Sequence, residues 1–144
     1  MSKFVQGITE TSALIIENTE RKVRKIIRDF AHEVIDDTPF DTGRLKNNWY
    51  ASNRKAVKTT NQKVDKSGAR SKARVEKALG RLKLGQTFYL VNSLPYARVI
   101  EFGLYPNPPK NGKGKTVNGF SKKAPAGMAR INLRKAIQRI RALQ

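Results

Sequence analysis

One stretch of this chain has the residue types of a catalytic site. Asp41-Thr42-Gly43 has the composition of the triplet that supplies one carboxylate to each half of an aspartic protease site. In that signature the triplet follows an apolar strand and precedes a small residue, whereas here Pro39-Phe40 comes before it and Arg44 after it. A cation beside the carboxylates would oppose the raised pKa that a shared proton requires. We therefore interpret the triplet as a turn in which Asp41 caps backbone amides and Gly43 adopts a positive φ.

No other stretch predicts a catalytic or metal site. Gly112-Lys113-Gly114-Lys115-Thr116 superficially resembles a phosphate-binding loop, but it lacks the first glycine at the required spacing and no apolar strand precedes it. The single histidine, His32, falls on the flank of a helical pattern, where a solvent-facing position is favoured. The chain has no cysteine, which excludes disulfides and thiolate metal sites. We expect no catalytic residue, metal or cofactor.

Hydrophobic periodicity indicates the elements around these stretches. Apolar residues at helical spacing predict a long amphipathic helix from about Ile8 to Asp37, which must end before Pro39. Side chains that alternate between two faces predict a strand over Asn48–Arg54, and a run rich in aromatic and branched residues predicts a second over Gln86–Asn92. We expect the two strands to pair antiparallel. A weaker helical pattern lies between the strands, over Lys66–Lys83.

The last third of the chain predicts two further helices and a loop. Pro95 suits the first turn of a short helix that Gly103 can end. Residues 104–125 are rich in glycine and proline and predict an extended loop or arm, and Ala126–Leu143 has the pattern of a terminal amphipathic helix. We expect a single α+β domain over residues 1–144. Four aromatic side chains are expected in or beside its core: Trp49, Phe88, Tyr96 and Phe102.

Charge is distributed very unevenly along the chain. The formal net charge is +19, yet residues 1–41 hold 6 basic and 8 acidic residues, and residues 42–144 hold 24 basic and 3 acidic ones. Residues 55–85 form a basic insertion between the two predicted strands. Such a positive field attracts phosphates and acidic protein surfaces alike, so the charge does not distinguish a DNA partner from a protein partner. Seven cations of the insertion are predicted to face DNA or a protein partner: Lys66, Arg70, Lys72, Arg74, Lys77, Arg81 and Lys83.

Composition also bears on partners and compartment. No apolar run reaches the 18 or more residues that a membrane span needs, so we expect no membrane partner and synthesis in a cytoplasm. Only 38% of the residues are hydrophobic and 28% are charged. This limited apolar content suggests that some segments become ordered against neighbouring subunits, which favours a homo-oligomer.

Two segments resemble the paired signatures of the tailed-bacteriophage neck and tail-completion family, which includes the minor tail protein Z type. The first is Thr38-Pro-Phe-Asp-Thr-Gly-Arg-Leu-Lys-Asn-Asn-Trp49, after a long helix, and the second is Val91-Asn-Ser-Leu-Pro-Tyr-Ala-Arg-Val-Ile-Glu-Phe-Gly103, after a strand. The order of helix, turn, strand, variable insertion, strand, short helix and terminal helix also matches. One departure is Ala124-Pro125-Ala126, where members commonly have a Pro-Phe pair before the last helix, and it leaves the docking of that helix open.

The resemblance implies a non-enzymatic structural virion protein, made in the host bacterial cytoplasm and assembled as a ring at the head-tail junction. Its partners would be copies of itself and adjacent neck, head-completion or tail-tube and terminator proteins, with the end of the packaged DNA as a further candidate. The alternative is a free nucleic-acid-binding protein without sequence specificity. Either Arg44 or Glu101 is expected to make a polar contact near the strand pair. The motif residues expected to be structural are Asp41, Thr42, Gly43, Arg44, Trp49, Pro95, Tyr96, Glu101, Phe102 and Gly103.

Overall fold

The computed structural model describes residues 2–110 and 114–143, and these form helices and two small antiparallel strand pairs. This architecture confirms the α+β class. The elements in chain order are α1 (Lys3–Asp37), α2 (Arg44–Asn47), β1 (Tyr50–Ser52), α3 (Ala69–Leu79), β2 (Tyr89–Val91), α4 (Pro95–Phe102), β3 (Thr116–Val117), β4 (Phe120–Ser121) and α5 (Ala129–Arg141).

Helix α1 begins earlier than the sequence pattern predicts. It starts at Lys3 because the Ser2 hydroxyl accepts a hydrogen bond from the Val5 amide at 3.2 Å and so caps the first turn. It ends at Asp37, as predicted, and the following Thr38 has the extended backbone that a residue before proline prefers. The result is a 35-residue helix, much longer than the rest of the fold requires.

The core lies where the C-terminal half of α1 meets α3, α4 and α5. Ala31, Val34 and Ile35 of α1 are fully buried there against Val75 and Leu79 of α3. Because α3 is the middle of the basic insertion, that segment contributes to the core as well as to the surface. The other buried hydrophobic residues of this cluster are Leu45, Trp49, Leu82, Leu94, Ala97, Ile100, Ala124 and Met128.

The predicted strands pair antiparallel, but they are shorter than the sequence indicates. Ala51 lies opposite Leu90 at the centre of a three-residue ladder. The residues before β1 are not part of the ladder. The carbonyls of Asn47 and Trp49 instead accept hydrogen bonds from the Arg74 guanidinium, at 2.6 and 3.0 Å.

Residues 104–125 contain a second hairpin, so the prediction of an extended loop is wrong over part of this range. Thr116–Val117 pairs with Phe120–Ser121 across a two-residue turn. Asn118 and Gly119 have φ values of 52° and 83°, the conformation for which Asn-Gly is the preferred hairpin dipeptide. That dipeptide was the available sequence signal. Residues 111–113, which include part of the phosphate-loop-like stretch, lie outside the described residues.

Two of the four aromatic residues expected in the core lie at the surface instead. Trp49 is buried and Phe88 packs against the core, but Tyr96 and Phe102 are 36% and 48% exposed. The Phe102 ring lies under the Arg130 guanidinium, 4.5 Å from it. Helix α4 turns other side chains inward: Ala97, Ile100 and Glu101.

Candidate assembly interface

The turn of the first motif is held close to the basic insertion. Gly43 has φ 90°, and its carbonyl accepts a hydrogen bond from the Asp65 amide at 3.1 Å. A Cβ on Gly43 would lie 2.6 Å from the backbone of Asp65, so only glycine fits this crossing. The Thr42 hydroxyl, rather than Asp41, accepts a hydrogen bond from a turn amide, that of Arg44 at 3.2 Å. Asp41 is exposed and accepts no hydrogen bond from the described residues, so its predicted capping role is wrong.

Two asparagines and an arginine bind the insertion to the first motif. The side chain of Asn48 accepts a hydrogen bond from the Asn61 amide at 2.8 Å and donates one to the Asn61 carbonyl at 3.1 Å. Asn47 donates to the Lys63 carbonyl at 3.0 Å, and Arg44 donates to the Asn61 carbonyl at 3.3 Å. The expected polar contact of Arg44 is therefore with the insertion. The role of these asparagines was not predicted, because their partners lie in a segment without helix or strand.

Trp49 ties the end of the first motif to the end of α1. Its indole nitrogen donates a hydrogen bond to the Thr38 hydroxyl at 2.8 Å, and that hydroxyl donates to the Val34 carbonyl at 2.7 Å. A buried indole N–H needs such a partner, since leaving it unpaired costs free energy. These hydrogen bonds thus hold the two ends of the first motif, Thr38 and Trp49, together at the C-terminal end of α1.

The second motif holds the terminal helix. Pro95 is the first residue of α4, and Gly103 follows its end with φ 65°. The Glu101 carboxylate faces the N-terminus of α5 and accepts hydrogen bonds from the amides of Met128 and Ala129 at 2.7 and 2.8 Å. It also accepts one from the Arg130 amide at 2.9 Å. The expected contact of Glu101 is therefore with α5, not with the strand pair, and it docks the helix whose position the sequence left open.

The surroundings of Glu101 keep it ionised. Burial by itself would raise the pKa of the Glu101 carboxyl, but the backbone hydrogen bonds from residues 128–130 and the Arg130 guanidinium outweigh burial and lower the pKa. The pKa of Asp65 is also lowered, because its carboxylate accepts hydrogen bonds from the Arg70 amide and from Ser67 and Gly68 at the start of α3. A carboxylate therefore caps each of these two helices.

Both motifs border one open groove between α2, α4 and the second hairpin. The groove has a volume of about 660 Å³, and Phe40, Tyr96 and Tyr105 line it. Lys46 and Lys123 lie over the Phe40 ring, 5.0 and 4.8 Å from its centre. Burial lowers the pKa of Lys46, and this effect outweighs the nearby Asp36 carboxylate, which by itself would raise the pKa. Across the described residues, no cluster of His, Cys, Asp or Glu could hold a metal ion.

The seven cations singled out in the insertion fall into two groups. Arg74 turns inward to the carbonyls before β1 and stacks on the Tyr50 ring at 4.3 Å, and Lys72 pairs with Asp36 at 2.6 Å. These two therefore stabilise the fold. The other five are exposed and form what we call the basic face: Lys66, Arg70, Lys77, Arg81 and Lys83.

The first turns of α1 extend beyond the rest of the subunit. Every residue from Ser2 to Thr19 is exposed, and the helix meets the body at Glu20, whose carboxylate accepts a hydrogen bond from the Leu84 amide at 3.3 Å. We call residues 3–19 the arm. Its length is about 26 Å at 1.5 Å per residue. Six large hydrophobic side chains of the arm are exposed: Phe4, Val5, Ile8, Leu14, Ile15 and Ile16.

The family of the chain follows from a match to a family model described as "Bacteriophage HK97-gp10, putative tail-component". The match covers residues 2–103, which is more than half of the chain and includes the arm and both motifs. The chain belongs to the HK97-gp10-like family. Comparison with curated proteins and with solved structures gave no match.

Membership confirms the resemblance to tailed-phage neck and tail-completion proteins. An HK97-gp10-like protein is a structural component of the phage tail or neck, and it therefore functions in the virion in contact with other virion proteins. The match ends at Gly103, so the second hairpin and α5 lie beyond it. No helix in the described part of the chain is long and apolar enough to span a bilayer.

Proposed function

We propose that this HK97-gp10-like protein is a ring-forming subunit at the head-tail junction, where it joins neighbouring neck and tail proteins without catalysing a reaction. The observation that carries the proposal is the arm. Isolated exposed hydrophobic residues are ordinary, but a row of them along a projecting helix is a surface that another protein covers. A structural tail component with such a surface is suited to assembly.

The geometry of the two motifs supports a structural role for their residues. Thr42, Gly43 and Trp49 fix the turn at the end of α1, and Glu101 fixes the start of α5. Gly43 has no space for a side chain and Glu101 has its oxygens taken by backbone amides. These residues therefore hold the subunit in shape for assembly, and hydrolytic activity is not expected.

The location can be tested directly on particles. A particle carrying this subunit with a C-terminal label should show the label as a collar between head and tail. When the subunit is missing, heads and tails should accumulate separately. Label along the whole tail, or normal joining without the subunit, would contradict the proposal. Purified protein should also show rings by electron microscopy.

We further propose that the basic face lines the path of the DNA. Within residues 2–110 and 114–143, these five exposed side chains have no partner of the kind that holds Arg74 and Lys72, so they can bind phosphates. Phosphate contacts of this type hold DNA without reading its sequence. The other candidate partner is the acidic flank of an adjacent neck or tail subunit.

Neutralising the basic face separates these two partners. In the variant, Lys66, Arg70, Lys77, Arg81 and Lys83 are changed to Gln. A matched control neutralises five exposed cations elsewhere: Lys22, Arg54, Arg98, Lys115 and Lys122. If the face binds DNA, the logarithmic salt slope of duplex binding should be shallower in the variant by about 0.9 for each phosphate that it no longer neutralises, with a smaller change in the control.

The particle phenotype completes this test. Particles with the neutralised face should join heads to tails and retain their genome poorly. Unchanged DNA binding together with unjoined heads and tails would favour an acidic protein partner. Tight, salt-steep DNA binding by a monomer that never assembles would favour a free nucleic-acid-binding protein.

A further inference from the structure

The apolar stripe of the arm continues a face that the subunit itself covers further along α1. Eighteen residues make five turns of an α-helix, so residues 18 apart lie on the same side. Ile8 is thus aligned with Ile26, and Ile8 is 52% exposed whereas Ile26 is 7% exposed. Ile15 is aligned with Glu33, whose carboxylate pairs with Arg139 of α5 at 2.6 Å. The stripe on the arm is therefore the extension of the side on which α5 packs.

Helix α5 has a second, partly exposed apolar row beside its buried side. Asn132 and Ala136 are buried on the inner side of α5, while Leu133, Ile137 and Ile140 are 48%, 38% and 46% exposed. The spacing of four and three residues places these three side chains in one ridge. We call them the outer ridge. The described residues of each subunit thus include an exposed apolar stripe on the arm and a partly exposed apolar ridge on α5.

Charge favours a contact between these two surfaces over a contact between two outer ridges. Arg134 and Arg141 are exposed cations of α5, and two copies of this basic helix would repel each other. The arm holds a single basic residue, Lys3, against Glu10 and Glu17, in a chain with a net charge of +19. The arm is therefore the segment that is least repelled by the basic remainder of another subunit.

We propose that the arm of one subunit packs its apolar stripe on the outer ridge of α5 in the next subunit. Helix α5 would then contact its own α1 on its buried side and the arm of its neighbour on the adjacent outer ridge. The contact joins different surfaces on the two copies, so it is heterologous, and repetition with a closing rotation builds a ring. The inference deepens the proposed function, because it names the contact that would make the ring.

Cross-linking between introduced cysteines tests the contact, and because the chain has no native cysteine, only the introduced ones can react. The Ile15→Cys, Ile137→Cys double variant is treated with a short thiol-to-thiol cross-linker. A link within one subunit is excluded, because Ile15 lies about 27 Å along α1 from Glu33, which pairs with Arg139, two residues after Ile137. The matched control places the arm cysteine on the opposite side of the helix, as Glu17→Cys with Ile137→Cys.

The expected product is a ladder of covalent dimers, trimers and higher species from the Ile15 pair, with little product from the Glu17 pair. The single variants should give no ladder. Dimers from Ile15→Cys alone would show that arms pair with each other, and oligomers without any ladder would show that a different surface joins them. Either result would overturn the inference.

A second test measures assembly without cysteine. The Ile8→Ser, Ile15→Ser variant changes only exposed side chains, so its monomer should keep the helix content and melting temperature of the wild type, while its association should weaken at least tenfold by ultracentrifugation. The control, Gln6→Ser with Ala13→Ser, changes exposed uncharged residues on the other side of the arm, keeps the charge of the arm and should associate like the wild type. Unchanged association of the isoleucine variant would overturn the inference. Because this uses purified protein, failure here leaves the proposed location at the head-tail junction testable by the label.

Discussion

The two halves of α1 are both amphipathic but have opposite surroundings. In the C-terminal half, Ala31, Val34 and Ile35 are fully buried by α3, α5 and the motif segments. In the N-terminal half, Ile8 is aligned with the buried Ile26 and Ile16 with the buried Val34, yet Ile8 and Ile16 are each 52% exposed. The difference is not in the helix itself but in what returns from elsewhere in the chain to cover it.

This comparison explains how one helix can serve folding and assembly together. Burial of apolar surface stabilises by about 25 cal/mol per Å², whichever protein supplies the cover. The C-terminal half gains this stabilisation when the subunit folds, and the arm can gain it only when another protein binds. Helix α1 thus has hydrophobic side chains for the subunit fold in one half and for a neighbouring protein in the other.

The largest expected effect comes from removing the Glu101 carboxylate, which holds α5 against the C-terminal half of α1. Glu101→Ala leaves the amides of Met128, Ala129 and Arg130 without their acceptor, and we expect a loss of about 4 kcal/mol in unfolding free energy. Urea denaturation of the monomer measures it. Glu101→Gln, which keeps one acceptor oxygen, should lose less. Equal stability of Glu101→Ala and the wild type would mean that α5 is not held by this carboxylate.

A matched pair of substitutions compares the two halves directly. Ile26→Ala removes a buried side chain and should destabilise the monomer by about 3 kcal/mol, whereas Ile8→Ala should change its stability by less than about 0.5 kcal/mol. The two residues are identical in type and aligned on the helix. Thermal or urea unfolding at low protein concentration measures both. Equal losses at the two sites would show that the arm is covered within the monomer.

The lowered pKa of Glu101 also predicts how the stability of the fold depends on pH. The pKa of Glu101 is lower in the folded protein than in the unfolded chain, so the unfolded state binds more protons as the solution becomes acidic. The stabilisation of the folded protein by ionised Glu101 is complete above the pKa of the unfolded chain, about 4.3. This stabilisation is lost as the pH falls through the pKa of Glu101 in the folded protein. Unfolding free energies measured between pH 6 and pH 3 should therefore fall less steeply in Glu101→Gln. Asp65, whose pKa is also lowered, should leave a residual slope in that variant.

The smallest expected effect is at the ion pair between α1 and α5. Glu33→Gln removes the partner of Arg139, but both side chains are partly exposed and solvent screens their attraction, so the pair should contribute little to the unfolding free energy. Denaturation at low and high salt should show a small loss that disappears at high salt. A loss as large as that of Ile26→Ala would mean that the charge pair, rather than the apolar face, holds α5 in place.

Much of the fold could be predicted because its signals are local. The helical spacing along α1, the stop before Pro39, the Pro95 start and the Gly103 end each depend on a few neighbouring residues. The second hairpin had an equally local signal in Asn118-Gly119 that the composition of the loop obscured. The family signature was visible in the two motif segments, and the match to residues 2–103 confirms it.

The surface was harder to predict, because a side chain of a given type can point into or out of the fold. Arg74 and Arg70 lie in the same basic run, yet Arg74 binds the carbonyls before β1 while the side chain of Arg70 is exposed. Tyr96 and Phe102 were expected in the core because they are aromatic, but α4 presents Ile100 to the core instead. Charge and hydrophobicity alone do not specify orientation.

The sequence by itself determined the α+β class, the amphipathic helix, the charge asymmetry and the motif order, since these follow from residue type and spacing along the chain. Only the tertiary structure decided that Glu101 caps α5, that Asn61 is held by Asn48, and that α1 is covered over one half. The physical reason is that periodicity is a property of neighbouring residues. Burial and hydrogen-bond partners depend on segments that approach from distant parts of the chain, or from another subunit.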